Sequence, residues 1–280
     1  MRQTVPPSPA APAVAHASRG HATGAPVSAA ARAVATGRAV ATGLAVATGL
    51  AVATGLVVAG LVTAAVADGS ILPEAEQTEW NAVGRVNIAG YNTRRMCTGT
   101  LIAPDRVLTA AHCVLGPRDT PARPAEIVFV AGWRAGAAAA DGRGAALDLH
   151  PGFAEGLAAG EVRIVHDLAL LTLDRPLDGV SPLHVAPLPE APRSLAILGY
   201  RVDRPHIATR SAPCAVTHRA PGAFVTDCTV VEGTSGAPVL AETAAGWRVV
   251  GVVSAASERG SVAPIPVAWE AVAPFAQPPR

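Results

Sequence analysis

Residues 97–114 read CTGTLIAPDRVLTAAHCV. Two short runs rich in Leu, Ile, Val and Thr flank Pro104-Asp105, which predicts strands at Cys97–Ile102 and Arg106–Ala110 joined by a turn. A histidine, His112, and a cysteine then stand side by side directly after the second run. A lone histidine beside apolar residues is usually structural. The interpretation of His112 therefore depends on the rest of the chain.

The chain after residue 67 contains many more short strand-like runs bounded by turn residues. Seven of them are predicted as strands: Ala82–Ile88, Glu126–Ala131, Leu168–Leu173, Ser194–Leu198, Ala223–Cys228, Ala237–Leu240 and Trp247–Ser254. Short strands at this spacing indicate an all-β barrel or sandwich. Only Val267–Ala273 is predicted as a short C-terminal helix. A proline-rich stretch, Arg175 to Pro192, divides the strands into two groups and is predicted to link two halves.

The first 67 residues differ in composition from the rest. They contain four arginines and no acidic residue, and residues 39–67 carry no charge. The apolar run LVVAGLVTAAV (56–66) leads into Ala65-Val66-Ala67, a site typical of an export signal. We expect cleavage after Ala67 and a secreted or periplasmic protein. The uncharged stretch is also long enough to span a bilayer, so a retained anchor with an extracytoplasmic folded domain is one alternative, and a low-complexity tail is another.

Charge and cysteine content narrow the classes of partner and cofactor. The 280 residues have a formal net charge of +1. The strong positive charge that nucleic-acid binding requires is therefore missing. The four cysteines, Cys97, Cys113, Cys214 and Cys228, suit two disulfides in an exported protein or four unrelated thiols in a cytosolic one. They lack the C-x-x-C spacing of a metal site, so we expect no metal.

Two further segments supply groups that could act with His112. Asp167 opens the apolar run of HDLALLTLD (166–174). A carboxylate at the mouth of a buried strand must be paired or hydrogen-bonded, and an imidazole N–H is a suitable partner. Capping of backbone amides is the other interpretation of this residue.

Ser235 lies in EGTSGAPVL (232–240), between Gly233 and Gly236. Such a loop can expose a hydroxyl while it aims backbone N–H groups at one point, which is what an oxyanion hole requires. Alone, the same residues also describe a plain turn.

The order His112, Asp167, Ser235 matches one of the known serine-hydrolase orders. The α/β-hydrolase order needs a histidine after the serine, but the last histidine of the chain is His218. The subtilisin order needs an aspartate before the histidine, and Asp105 lies in a predicted turn.

The three motifs resemble those of the trypsin/chymotrypsin family of serine endopeptidases. The histidine motif is residues 97–114, the aspartate motif is HDLALLTL (166–173), and GTSGAPVL (233–240) resembles the serine motif usually written GDSGGP. The looser serine motif, and Cys228 seven residues before Ser235, resemble the bacterial branch that includes V8-like glutamyl endopeptidases. The resemblance covers nearly the whole chain after residue 67.

This resemblance implies an all-β, chymotrypsin-like fold of two six-stranded antiparallel β-barrels with a short C-terminal helix. Residues 1–67 would be the signal or anchor, residues 68–185 the first barrel with His112 and Asp167, and residues 186–280 the second barrel with Ser235 and the helix. It also implies disulfides between Cys97 and Cys113 and between Cys214 and Cys228. The N–H groups of Gly233 and Ser235 would form the oxyanion hole.

The implied activity is hydrolysis of peptide bonds through an acyl-enzyme by a monomer that needs no cofactor. The substrate would be a peptide or protein that pairs with the strand at Val253, Ser254, Ala255 and Ala256, and the N-terminal segment would contact a membrane transiently. A catalytically silent binding protein and an esterase-type hydrolase with the same triad are the alternative functions.

The sequence also departs from the family pattern. Thr234 stands where trypsin-like members carry the aspartate that pairs with a newly cut N-terminus, so we expect no activation switch of that type. Thr229 stands where trypsin-like members carry the aspartate of the S1 pocket, and Val253 where the glutamyl branch carries a histidine. We therefore expect a small or apolar P1 residue rather than Arg, Lys or Glu.

Overall fold

The computed structural model describes residues 69–88, 96–257 and 260–276. It divides the chain into two units, Met1–Gly60 and Leu61–Arg280, and all the described residues belong to the second unit. The predicted export segment, residues 1–67, lies outside the described residues. Within the described ranges, no helix is both long enough and apolar enough to cross a membrane.

Short strands dominate the described part of the chain. In chain order they are β1 (Ser70–Ile71), β2 (Val83–Ile88), β3 (Met96–Ala103), β4 (Arg106–Thr109), β5 (Ile127–Ala131), β6 (Ala140–Leu149), β7 (Ala169–Leu173), β8 (Leu195–Arg201), β9 (Arg204–Cys214), β10 (Val216–Ala220), β11 (Ala223–Thr226), β12 (Pro238–Thr243), β13 (Gly246–Val252), β14 (Ala255–Ser257) and β15 (Gly260–Pro264). All nine predicted strands are present within a few residues of their expected bounds. The predicted all-β fold class is confirmed.

The first half is a closed barrel with the strand order β2-β3-β4-β7-β6-β5. Apolar side chains from its strands fill the interior, and Leu101, Val107, Phe129 and Leu171 are each fully buried. β5 reads IVFVA and is buried along its whole length. A closed sheet leaves no free edge, so the barrel is a rigid base for the loops that leave its strands.

The second half consists of two sheets. One has the order β1-β9-β8-β12-β13 and the other the order β10-β11-β15-β14. Its core contains Ile197, Phe224, Val239 and Val250. A third cluster lies between the halves and includes Leu108 from the first and Tyr200, Leu240 and Val249 from the second, so the halves pack on each other.

β1 departs from the predicted domain boundaries. Ser70–Ile71 pairs with Arg210 and Thr209 of β9, so these residues belong to a sheet of the second half although they precede the first barrel. The neighbouring Leu72 is buried in the cluster between the halves. A two-residue strand has too little alternation to be found in a sequence.

The proline-rich segment 175–192 runs between the halves, and its Val185 forms two isolated bridges, to Val249 and to Ala276. The N–H of Leu183 donates to the carbonyl of Leu101 in the first barrel, and the N–H of Ala186 donates to the carbonyl of Val249 in the second half. The middle of the segment is therefore held to both halves.

The helices of the described residues are short. Two are α-helical, α1 (Glu74–Gln77) and α2 (Pro151–Ala159), and the 3-10 turns are Ala111–Val114, Pro117–Asp119, Pro124–Glu126, Ile164–His166, Pro266–Ala268 and Ala273–Phe275. The C-terminal segment is thus helical near the predicted position, but it forms two 3-10 turns instead of one helix. Pro274 lacks the N–H that one helix continued from Val267 through Phe275 would need at that position.

Candidate active site

His112 and Asp167 lie at the ends of two paired strands. β4 and β7 are antiparallel neighbours, with Thr109 opposite Ala169. His112 follows β4 by three residues and Asp167 precedes β7 by two. The register of the barrel therefore brings together two side chains that are far apart in sequence.

The contacts between the two residues fix the imidazole. The backbone N–H of His112 donates to Oδ1 of Asp167 over 2.9 Å, and Nδ1 of His112 lies 2.7 Å from Oδ2. The Asp167 side chain is 5% exposed and the His112 side chain 39%. A buried carboxylate thus holds one edge of the ring, while the ring itself remains partly open to solvent. This is the arrangement that a general base requires.

The pKa of Asp167 reflects two opposing effects. Burial alone would raise this pKa, because it disfavours the charged form. Hydrogen bonds from His112 and from the hydroxyl of Ser254 outweigh burial and hold the pKa of Asp167 below its usual value. Asp167 is therefore ionised at neutral pH and can stabilise a protonated imidazole. No local pattern predicts the Ser254 contact, since that residue lies 87 positions from Asp167.

The loop that carries Ser235 packs against the strand that leads to His112. Gly236 has a φ of +79°, and a Cβ there would lie 2.1 Å from the carbonyl oxygen of Thr98 and 3.2 Å from the N of Ala110. Only glycine fits so close to another backbone. The N–H of Thr98 also donates to the carbonyl of Ser235 over 2.8 Å.

These contacts bring the Ser235 loop beside the segment that bears His112. The Ser235 side chain is half-buried. Among the hydrogen bonds of the described residues, none joins the hydroxyl of Ser235 to His112. The structure therefore brings His112 and Asp167 into direct contact and holds Ser235 on an adjacent loop. Nucleophile–base hydrogen bonds in apo enzymes often tighten only with substrate.

The same loop presents unused backbone donors. The carbonyl groups of the loop are already paired: that of Glu232 accepts the N–H of Val202, and that of Thr234 accepts the N–H of Ala237. Within the described part of the chain, the N–H groups of Gly233 and Ser235 have no acceptor. Unpaired N–H groups on either side of one residue can bind a developing oxyanion.

Comparison with known protein families assigns the chain. A family model described as the trypsin-like peptidase domain matches residues 97–252, more than half of the chain. The match begins in the first half of the fold and ends in the second. The chain belongs to the trypsin-like peptidase family. The predicted assignment to the serine-type endopeptidases is thereby confirmed at the level of the family.

Solved structures agree on the fold of this trypsin-like peptidase. A structure described as Glu endopeptidase in complex with MPD superposes with a TM-score of 0.61. The match covers 75% of this chain and 97% of the other, at 19% sequence identity. The likeness confirms the chymotrypsin-like fold. No curated protein matches the chain in sequence.

Both predicted disulfides of the trypsin-like peptidase are present. Cys97 is bonded to Cys113, and Cys214 to Cys228. The sulfurs of the first pair and a ring nitrogen of His112 lie within 4.8 Å of one another, a grouping of the kind that can hold a metal. The two sulfurs are bonded to each other, however, and a metal binds thiolates. The first disulfide therefore braces the segment beside His112.

The predicted substrate strand lies at the edge of a sheet. β14, which contains Ala255 and Ala256, is the last strand in the order β10-β11-β15-β14. Val253 is buried in the core of the second half, and Ser254 donates its N–H to Val262. Among the described strands, none pairs with the outer edge of β14, so that edge can add another extended strand. The Val253 side chain is buried in the core.

Thr229, predicted at the floor of the specificity pocket, is exposed on the loop between β11 and β12. A second polar pair was missed in the sequence. The hydroxyls of Thr226 and Ser261 lie 2.8 Å apart, both fully buried, on neighbouring strands. Ser261 pairs with Ala256 of the edge strand. Isolated Ser and Thr residues in polar surroundings carry no signal for such a pair.

Two further histidines lie near Asp167 without joining it. His166 stacks on His150 with ring centroids 4.7 Å apart. Nδ1 of His150 accepts the N–H of Gly152 over 3.1 Å and so caps α2. Burial lowers the pKa of His150, and His166 lowers it further. These residues support the helix and the turn before Asp167.

Proposed function

We propose that the protein is an exported serine endopeptidase that uses His112, Asp167 and Ser235 as a catalytic triad. The observation that carries this proposal is the pairing of His112 with a buried, ionised Asp167 beside a loop with two unused N–H donors. Each of these features serves a separate step of acyl transfer, and the family is one of peptidases.

In the proposed reaction His112 takes the hydroxyl proton of Ser235 as that oxygen bonds to the carbonyl carbon of the substrate. The carbonyl oxygen becomes an oxyanion and accepts hydrogen bonds from the N–H groups of Gly233 and Ser235. Each such donor is worth about 3 kcal/mol in the transition state. The protonated His112 then gives its proton to the leaving amine as the C–N bond breaks.

Water completes the cycle. It loses a proton to His112, attacks the acyl carbon and releases the acid, and Ser235 recovers its proton. Asp167 holds the imidazole in one orientation throughout and stabilises its charged form. The chain's own groups account for every proton in this scheme.

The proposed substrate is an extended peptide that adds to the free edge of β14. Main-chain hydrogen bonds would supply affinity, and alternate side chains would be read by pockets. Thr229 offers no charge to pair with Arg or Lys, and Val253 is buried. These features support a small or apolar residue at P1.

Export is part of the proposal. Disulfides persist in oxidising compartments, and two are formed in this protein. Residues 1–67 would act as a signal cleaved after Ala67, with transient membrane contact, and residues 68–280 would form the monomeric peptidase with its two packed halves.

A digest of a peptide library by the purified chain tests this function, with Ser235→Ala as the control. We expect new peptide termini that follow small or apolar residues and that are absent from the control. Hydrolysis of p-nitrophenyl acetate without any peptide cleavage would instead identify an esterase-type hydrolase. A folded protein that does neither would be a binding protein.

A further inference from the structure

Thr98 occupies a special position in the barrel. It follows Cys97 directly in β3 and has no solvent exposure. Its N–H donates to Ser235 and its carbonyl accepts the hydroxyl of Thr109 over 2.8 Å. Thr98 therefore connects the strand that leads to His112 with the loop that carries Ser235.

The direction of the Thr98 hydroxyl is fixed by its neighbours. Oγ1 lies 2.9 Å from the N of Tyr200 and 2.9 Å from the carbonyl oxygen of Gly233. A backbone N–H can only donate, so Oγ1 accepts from Tyr200. Its own proton must then go to Gly233, because a carbonyl can only accept.

Thr98 thus holds two carbonyls of the nucleophile loop. Its hydroxyl holds the carbonyl of Gly233 and its N–H holds the carbonyl of Ser235. These carbonyls belong to the peptide groups on either side of the Thr234–Ser235 peptide. That central peptide carries one of the two unused donors, the N–H of Ser235.

We propose that Thr98 is a positioning residue that sets the oxyanion donors of Gly233 and Ser235 through its buried hydroxyl. The inference rests on the proposed function, because it assigns a role within that site. An oxyanion hole is effective when its donors need no reorganisation. Fixing the neighbouring peptide planes provides this rigidity.

The hydrogen bonds of Thr98 also explain how the Ser235 loop keeps its conformation although the residue before Ser235, Thr234, is neutral. All four bonds of Thr98 are between neutral groups, two of them to the loop itself. The loop conformation therefore needs no charged partner for Thr234. Once the two halves pack against each other, Thr98 of β3 has all of its hydrogen-bond partners, and the bonds form between neutral groups.

Thr98→Val removes the hydroxyl while it keeps the shape of the side chain, and Thr98→Ser keeps the hydroxyl. Thr100→Val is the matched control. Thr100 lies on the same strand and face, is equally buried, and its hydroxyl has no partner among the described residues. The full chain and its variants are compared in p-nitrophenyl acetate hydrolysis and in the rate of labelling by a fluorophosphonate, below their unfolding temperatures.

Thr98→Val should lower kcat and the labelling rate on the order of 10- to 100-fold, with KM little changed, since misaligned donors weaken binding of the transition state alone. Thr98→Ser and Thr100→Val should keep the activity of the unmodified protein. Equal kcat for Thr98→Val and Thr100→Val would overturn the proposal, and so would an equal loss in Thr98→Ser. Failure of the unmodified protein to react at all would refute the proposed function instead.

A crystal structure of the phosphonylated protein tests the same point if Thr98→Val does not fold. The proposal requires the phosphoryl oxygen to accept from Gly233 and Ser235 while Thr98 still donates to the Gly233 carbonyl. A Gly233 carbonyl turned away from Thr98 in that adduct would overturn it.

Discussion

The two disulfides should contribute equally to stability but unequally to activity. The bridge between Cys97 and Cys113 spans 16 positions and that between Cys214 and Cys228 spans 14. In the chain-entropy account, loops of this length each stabilise the fold by about 3 kcal/mol. For a domain of this size, each loss lowers the unfolding temperature by about 6–12 °C.

The positions of the bridges differ in their relation to the site. Cys113 adjoins His112, and Cys97 adjoins Thr98, which holds the Ser235 loop. By contrast, Cys214 is the last residue of β9 and Cys228 follows β11 by two residues. Replacing Cys97 and Cys113 by alanine should therefore lower the rate of labelling by a fluorophosphonate on the order of 10- to 100-fold, because catalysis depends steeply on alignment. Replacing the second pair should leave that rate nearly unchanged.

Thermal unfolding followed by circular dichroism gives the two stability losses. Labelling rates are then measured at one temperature below both unfolding midpoints. Equal activity losses in the two variants would refute the reasoning, because stability alone would then explain them. A second-pair variant that loses more activity than the first would refute it as well.

Three further changes test individual contacts. Asp167→Asn should lower kcat about 10⁴-fold. Because the pKa of Asp167 is depressed, the unmodified protein should be more stable than this variant above about pH 4, and the difference should shrink as the pH falls further, as urea unfolding at several pH values will measure. In His150→Asn the asparagine can still cap α2. Burial depresses the pKa of His150, so the unmodified protein should lose stability as the pH falls below about 6.5 and the variant should lose less. The same pH dependence in both proteins would contradict this. Gly236→Ala, whose Cβ would strike the Thr98 carbonyl, should prevent correct folding, whereas Gly160→Ala has a similar φ and open space and should cost only about 1–2 kcal/mol.

The residues of the candidate site could be predicted because their chemistry is local. His112, Asp167 and Ser235 each stand in a short motif whose neighbours explain the residue. Strands such as β5 could also be predicted, since IVFVA is apolar throughout and three of its five residues are β-branched. The partners of these residues could not. The hydroxyls of Thr98 and Ser254 act across 135 and 87 positions, and only the folded chain reveals such contacts.

Elements with weak local preference were missed for a related reason. β6 reads ADGRGAALDL and β9 reads RPHIATRSAPC; four residues of β6 are exposed, and six residues of β9 are only partly buried. Neighbouring strands in the sheet hold them extended, which overrides a poor strand propensity. α2 contains two glycines and a proline, and a histidine caps it. Neither helix propensity nor apolar periodicity identifies a helix of that composition.

Mapping the site of fluorophosphonate labelling by mass spectrometry decides whether Ser235 is the activated nucleophile. We expect one covalent adduct, on Ser235, in the folded protein, and its loss in Ser235→Ala and after denaturation. A folded protein that forms no adduct would show that Ser235 is not activated, and an adduct elsewhere that persists in Ser235→Ala would assign the nucleophile to another residue.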